Sequence, residues 1–147
     1  METTLQAPPA DDLAGRLRLA VARTARRLRQ EADGGLSPSL IAALSTVDRH
    51  GPLTPSRLAE IERVQRPTAT KLVASLEQQG LVVRAADPLD GRVSYVQLSP
   101  EGARLLKKLR KRKNAYLAKR LRRLDEDELA TLERATEILE RILEEGE

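Results

Sequence analysis

Apolar residues recur at three- and four-residue steps along most of this chain. Leu13, Leu17, Ala20, Val21, Thr24 and Leu28 form one such stripe. It predicts a helix from a cap at Asp11 or Asp12 to about Ala32, stopped by Gly34-Gly35. Arg16, Arg18, Arg23, Arg26, Arg27 and Arg29 fill the remaining faces. Residues 1–10, with adjacent prolines and little apolar material, read as a flexible arm.

A hydroxyl residue followed by proline then occurs three times, at Ser37-Pro38, Thr54-Pro55 and Ser99-Pro100. Each places a side-chain cap before a proline at the first helical position. The first opens a helix to about Arg49 with Leu40, Ile41, Leu44 and Val47 inward. The second opens a short helix, Pro55 to Glu62, with Leu58, Ala59 and Ile61 available for burial. Between them, His50 to Leu53 leaves room for a turn and one bridging strand. After Arg63-Val64-Gln65 a helix starts near Pro67 and ends at Gly80, with Ala69, Leu72, Val73 and Leu76 as its stripe. Two short helices joined by a tight turn predict a helix-turn-helix.

Leu81 to Ala86 and Arg92 to Leu98 read as strands, and the connection Asp87-Pro88-Leu89-Asp90-Gly91 contains an Asp-Gly turn signal. Ser99 caps a long helix to about Leu124, carrying Leu105, Leu106, Leu109, Tyr116, Leu117, Leu121 and Leu124. Asp125 with Glu128 forms a capping box for a last helix. There Leu129, Leu132, Thr136, Leu139 and Leu143 step by three and four, widened by Ala135, Ile138 and Ile142. So wide an apolar face calls for a partner, from the first helix or a second chain. The predicted fold class is mainly α with a small β-hairpin wing: a winged helix-turn-helix.

Composition narrows the function classes. The 147 residues are 40% hydrophobic and 33% charged, which fits one folded domain. No apolar run approaches a membrane span, no signal-peptide core is present, and a cytoplasmic protein is expected. Zero cysteines remove thiol redox and thiolate ligands, and one histidine argues against a metal site. No cofactor is expected. No nucleophile–base pair or phosphate loop is visible either, so no enzyme is expected.

Charge is segregated. Up to Leu124 there are 24 Lys/Arg against 12 Asp/Glu, a net of +12; from Asp125 on there are 2 against 10, a net of −8. A basic body with an acidic last helix points to an anionic partner.

The candidate binding residues follow. Arg66, just outside the helix, and Pro67, Thr68, Thr70, Lys71 and Ser75 stand at the start of the second helix of the pair. A helix N-terminus with hydroxyls suits phosphate oxygens, and Thr and Lys also reach base edges. Taken alone, the same residues read more readily as ordinary satisfaction of a helix end. The wing that follows, Asp90, Gly91 and Arg92, shifts the reading toward DNA, because an arginine there suits a narrow minor groove. A plain hairpin turn with a surface ion pair remains the other reading of Asp90 and Arg92. Ser56, Arg57 and Arg63 are candidate phosphate contacts. The block Lys107 to Lys113 spans all sides of its helix and reads mainly as a solvated face. It also offers counter-charges to the last helix. His50 reads as local capping at a helix C-terminus.

The order TPSRLAEI, RPTATKLVASLEQQGLVVR, DPLDGR and VSYVQLSPEG resembles the MarR (multiple antibiotic resistance regulator) family of winged-helix repressors. The resemblance covers about residues 13 to 143. It rests on Leu76 and Gly80-Leu81-Val82, Arg84, Asp90-x-Arg92, and Leu98-Ser99-Pro100-Glu101-Gly102. It implies one domain over 11–147, with a DNA-binding region at 37–98. Helices within 11–35 and 99–147 would then intertwine as an obligate-type dimer. Leu13, Leu17, Val21, Leu117, Leu121, Leu132, Leu139, Ile142 and Leu143 would line that interface. It also implies that Pro67, Thr68, Thr70 and Lys71 face the major groove, that Arg92 enters the minor groove, and that Arg84 is structural. The expected function is a sequence-specific repressor on a pseudo-palindromic site in double-stranded DNA, released by a small aromatic or phenolic effector. The alternative is a winged-helix module that meets an acidic protein partner.

Overall fold

A computed structural model describes residues 6–145. Six helices and one hairpin follow in the order α1 (Ala10–Glu31), α2 (Pro38–His50), α3 (Pro55–Glu62), α4 (Arg66–Gln78), β1 (Val82–Ala86), β2 (Ser94–Leu98), α5 (Pro100–Leu121) and α6 (Glu126–Glu144). The three hydroxyl-proline caps form as their chemistry requires. Ser37 accepts from the Leu40 N–H, Thr54 from Arg57 and Ser99 from Gly102. The Asp125–Glu128 capping box is complete in both directions.

The core is built from α2, α3, α4, the hairpin and the first half of α5. Leu44, Val47, Leu58, Val73, Leu76, Val82, Val96 and Leu109 are fully buried there. Burying such side chains contributes about 1.5–3 kcal/mol each. β1 and β2 pair antiparallel with Arg84 opposite Val96, and Leu53 adds a third rung through two hydrogen bonds to Val96. This is the bridging strand expected between α2 and α3.

α5 is fastened to the hairpin at its first turn. The Ser99 N–H donates to the Leu81 carbonyl, and the Ser99 hydroxyl donates to the Gly80 carbonyl at 2.6 Å. Gly80 takes the left-handed φ of 73° that ends α4, with Leu81 N–H returning to the Leu76 carbonyl.

Local boundaries differ from expectation in five places. Asp11 and Asp12 do not cap α1: Pro9 precedes it, and the two carboxylates sit in the first turn, where the helix dipole favours them. Ala10 therefore belongs to α1, and the part of the expected arm at residues 1–5 lies outside the described residues. Arg66 lies inside α4 rather than before it, because Gln65 takes the extended cap conformation. α5 ends at Leu121, three residues early, in a tightened turn where Leu124 N–H bonds the Leu121 carbonyl. Finally, the strands are shorter, and the connection between them runs over residues 87–93 rather than ending at Gly91. Asp90-Gly91 does open a turn within it, because the Val93 N–H donates to the Asp90 carbonyl at 3.0 Å, although Gly91 is not among the four described glycines with positive φ.

α1 and α6 bury no residue at all. Leu13, Leu17, Val21, Leu117, Leu132, Ile142 and Leu143 remain exposed, and Leu121 and Leu139 are half-buried. Their predicted stripes exist but are uncovered within one chain. Ala20, Val21, Leu28, Leu121, Leu132 and Leu139 line an apolar groove of about 740 Å³ between α1, α5 and α6.

Candidate nucleic-acid interface

α4 buries Ala69, Val73 and Leu76. At 100° per residue the opposite side of the helix is centred on Pro67 and Lys71, with Thr68, Thr70 and Ser75 on its flanks. Arg66, Pro67, Thr68, Thr70 and Lys71 are all exposed, and Ser75 is half-buried. The N-terminus of α4 has no side-chain cap and no acidic residue in its first turn. Pro67 has no N–H, so the Arg66 and Thr68 amides are left facing outward as donors. α2, α3, α5 and α6 are each closed by a side-chain oxygen, whereas α1, with acidic residues in its first turn, and α4, with none, are not.

Not every candidate on this surface is equally available. The Thr70 hydroxyl donates to the Arg66 carbonyl, and the Ser75 hydroxyl accepts from the Gln79 amide. Arg57 is engaged with Glu60 at 2.9 Å, and Ser56 is half-buried beside it. Arg66, Lys71, Arg63 and Arg92 make no ion pair among the described residues.

Arg63 sits in the turn between α3 and α4 with φ 54° and ψ 46°, the only described non-glycine with positive φ. The bonds Arg63 N–H to Glu60 O and Val64 N–H to Ala59 O make a Schellman ending of the kind Gly80 makes after α4. An arginine in that conformation costs about 1–2 kcal/mol relative to glycine.

The wing is organised by Asp87. Its carboxylate accepts the Leu89 N–H at 2.7 Å and the Asp90 N–H at 3.2 Å. These backbone donors hold the Asp87 pKa below the ordinary carboxylate value. Tyr95 stands beside that carboxylate, which pushes the phenol pKa upward. Asp90 in turn accepts the Arg92 N–H at 3.0 Å, so its role is loop shaping through the backbone. The Arg92 side chain is exposed. Sequence reading named Asp90, Gly91 and Arg92 but missed Asp87 and Tyr95. The Asp87-Pro88 pair was the signal, because an Asp before a turn accepts the amides that follow it.

Arg84 pairs with Glu77 at 3.2 Å and so ties β1 to α4. Within the basic block of α5, Arg110 pairs with Asp48 on α2, and no described ion pair joins the block to α6. Tyr116 is half-buried between α1 and α5. Its hydroxyl accepts from Arg27 at 2.9 Å, and the Arg120 guanidinium lies 3.5 Å above the ring centre. His50 ends α2, as read from the sequence.

A helix-turn-helix followed by a two-stranded wing, with an exposed basic and hydroxyl-bearing helix start, defines a winged-helix nucleic-acid-binding protein. The MarR family model matches residues 36–94. An HTH-type transcriptional regulator of Mycobacterium tuberculosis is 39% identical over 135 residues, covering 91% of this chain and 94% of that protein. A crystal structure from Pseudomonas aeruginosa, described as of a transcriptional regulator, superposes with a TM-score of 0.82 at 38% identity over 92% of this chain and 98% of the other. A Staphylococcus aureus protein solved bound to an oligodeoxyribonucleotide shares the fold, with a TM-score of 0.70 at 19% identity, over 88% of this chain and 97% of that one. The chain belongs to the MarR family and is a DNA-binding transcriptional regulator of that family. No described helix is long and apolar enough to cross a membrane.

Proposed function

We propose that this protein is a homodimeric repressor that reads a pseudo-palindromic operator, with half-sites roughly 10 bp apart centre to centre. The observation that carries this reading is the open, uncapped start of α4, where Arg66 and Lys71 are unpaired, beside a wing whose Arg92 is also unpaired. In this reading Pro67, Thr68, Thr70, Lys71 and Ser75 address the major groove, and Arg66 approaches its edge. Arg92 enters the minor groove from a loop shaped by Asp90 and Gly91. Ser56, Arg57 and Arg63 meet phosphates. The domain spans 11–147, and α1, α5 and α6 of two copies cover one another's apolar stripes.

A small aromatic or phenolic anion releases the DNA. A cavity of about 290 Å³ where α1 meets α2 supports this reading: Arg26 and Arg29 outnumber Asp33 there, beside Leu36, Pro38 and Ile41. The protein works by binding, without catalysis, in the cytoplasm. No specific observation favours an acidic protein partner over DNA.

The test is an anisotropy titration with the DNA upstream of its own gene against a scrambled duplex. Preference for the upstream DNA, weakening steeply with salt as phosphate contacts are screened, is expected. Equal affinity for both duplexes would refute sequence-specific regulation.

A further inference from the structure

Eleven large apolar side chains are exposed among the described residues, and nine of them lie on α1, α5 or α6. The remaining two, Val83 and Leu89, are both on the wing hairpin, and Leu89 is 98% exposed. A single exposed leucine needs no explanation by itself. What sets Leu89 apart is that its loop is fixed. The ring of Pro88 fixes its own φ, directly before Leu89. The Leu89 and Asp90 amides are both held by the Asp87 carboxylate, and the Asp87 N–H closes the loop onto the Val93 carbonyl at 2.8 Å. An apolar side chain is thus held in water by a hydrogen-bonded frame, three positions before Arg92.

Three residues span at most about 10–11 Å, and base pairs are stacked about 3.4 Å apart. With Arg92 in a minor groove, Leu89 stands within about three base pairs of it. We propose that Leu89 is a specificity-determining contact, an apolar probe of the minor groove that rejects G·C pairs beside the position occupied by Arg92. The inference rests on the DNA reading of the wing given above. Its chemistry is that of the groove floor. G·C places the guanine N2 amino donor there, filling the space a leucine needs and losing its water against a side chain that accepts no hydrogen bond. A·T presents only the adenine C2–H at that point, which a leucine covers without burying a donor. Arg92 senses charge and groove width, whereas Leu89 senses the amino group.

The experiment uses the full-length protein. Its preferred site is first enriched from a pool of fully randomised duplexes. Affinity is then measured with the flanking pair set to A·T, G·C or inosine·C, which lacks the amino group. Wild type is expected to bind the G·C flank roughly five- to tenfold more weakly than A·T, at the low end of mismatch penalties. Inosine·C should recover the A·T affinity. Leu89→Ala should bring all three flanks within twofold while leaving the salt slope unchanged. Arg92→Ala should weaken every flank and lower the salt slope by about one. A Leu89→Ala variant that keeps the wild-type flank ratios, or a wild type indifferent to the flank, would overturn the role of Leu89 alone. No enrichment by wild type would instead overturn the regulator reading.

Discussion

Gly102, in the first turn of α5, packs against the backbone of Leu81 at the start of the hairpin. A Cβ at Gly102 would overlap the Leu81 carbonyl oxygen and come within 2.9 Å of the Leu98 Cδ1 and 3.1 Å of the Leu81 carbonyl carbon. That carbonyl is also the acceptor for the Ser99 N–H, so it cannot move without breaking the junction. The Leu98-to-Gly102 motif is therefore a packing joint between the wing and the long helix. Gly102→Ala should destabilise the fold by about 2–3 kcal/mol through overpacking, read as a lower urea midpoint. Gly15→Ala on exposed α1 is the control. Its Cβ meets nothing within 4 Å, so it should be neutral or stabilising by about 0.5–1 kcal/mol.

Arg63 separates stability from binding. Arg63→Gly removes a left-handed non-glycine residue and should stabilise the fold by about 1 kcal/mol. If its side chain meets a phosphate, the same change should weaken DNA binding across all sequences and reduce the salt slope by about one. Higher stability with unchanged DNA affinity would leave the strain without a function in DNA binding.

Arg92→Ala should lower operator affinity strongly while leaving the melting curve and the oligomeric state unchanged. The Arg92 side chain makes no described ion pair and is exposed, so the fold does not depend on it. Unchanged affinity would remove the wing from the mechanism. Gly91→Ala should have little effect on folding, since the position is open and does not have positive φ.

The wing has a predictable pH window. The Asp87 pKa is lowered in the fold by the Leu89 amide, so its stabilisation is present above the unfolded carboxylate value and is lost as pH falls through the lower folded one. The Tyr95 pKa is raised by the Asp87 carboxylate, so its stabilisation is present below the unfolded phenol value and is lost as pH rises through the folded one. Between about pH 5 and pH 9 neither group should alter the wing. Hydrogen exchange at the Leu89 and Asp90 amides should accelerate beyond its intrinsic pH dependence at the acid end. Asp87→Asn should abolish that acid transition.

Leu139 lies half-buried in the groove between α1, α5 and α6. Leu139→Asp should convert a dimer to monomers in sedimentation velocity while the helix-turn-helix stays folded, because α6 contributes no buried residue. An undisturbed dimer would exclude this face from the interface.

Most of the secondary structure was legible from local chemistry. Caps such as Ser37, Thr54, Ser99 and Asp125 act within three residues of themselves, and apolar periodicity within one helix needs no knowledge of its neighbours. Helix α4 and its exposed candidates were legible for the same reason. Two features were not. The connection from Asp87 to Gly91 showed an Asp-Gly turn signal, but not that Asp87 captures two amides and that the reversal extends to Val93. Arg63 gave no warning that it would take a glycine conformation. The stripes of α1 and α6 were visible and called for a partner, and a single chain leaves both uncovered.

The dividing line is the range of the interaction. The chain alone determined where helices begin, which faces are apolar, that its body is basic and its last helix acidic, and its MarR resemblance, because these depend on neighbours in sequence. The fold decided that the Leu81 carbonyl fills the space above Gly102, that Glu77 receives Arg84, and that α1 and α6 stay uncovered within one chain. Those outcomes depend on chain segments packed together from distant positions, and the distances between them exist only once the core has closed.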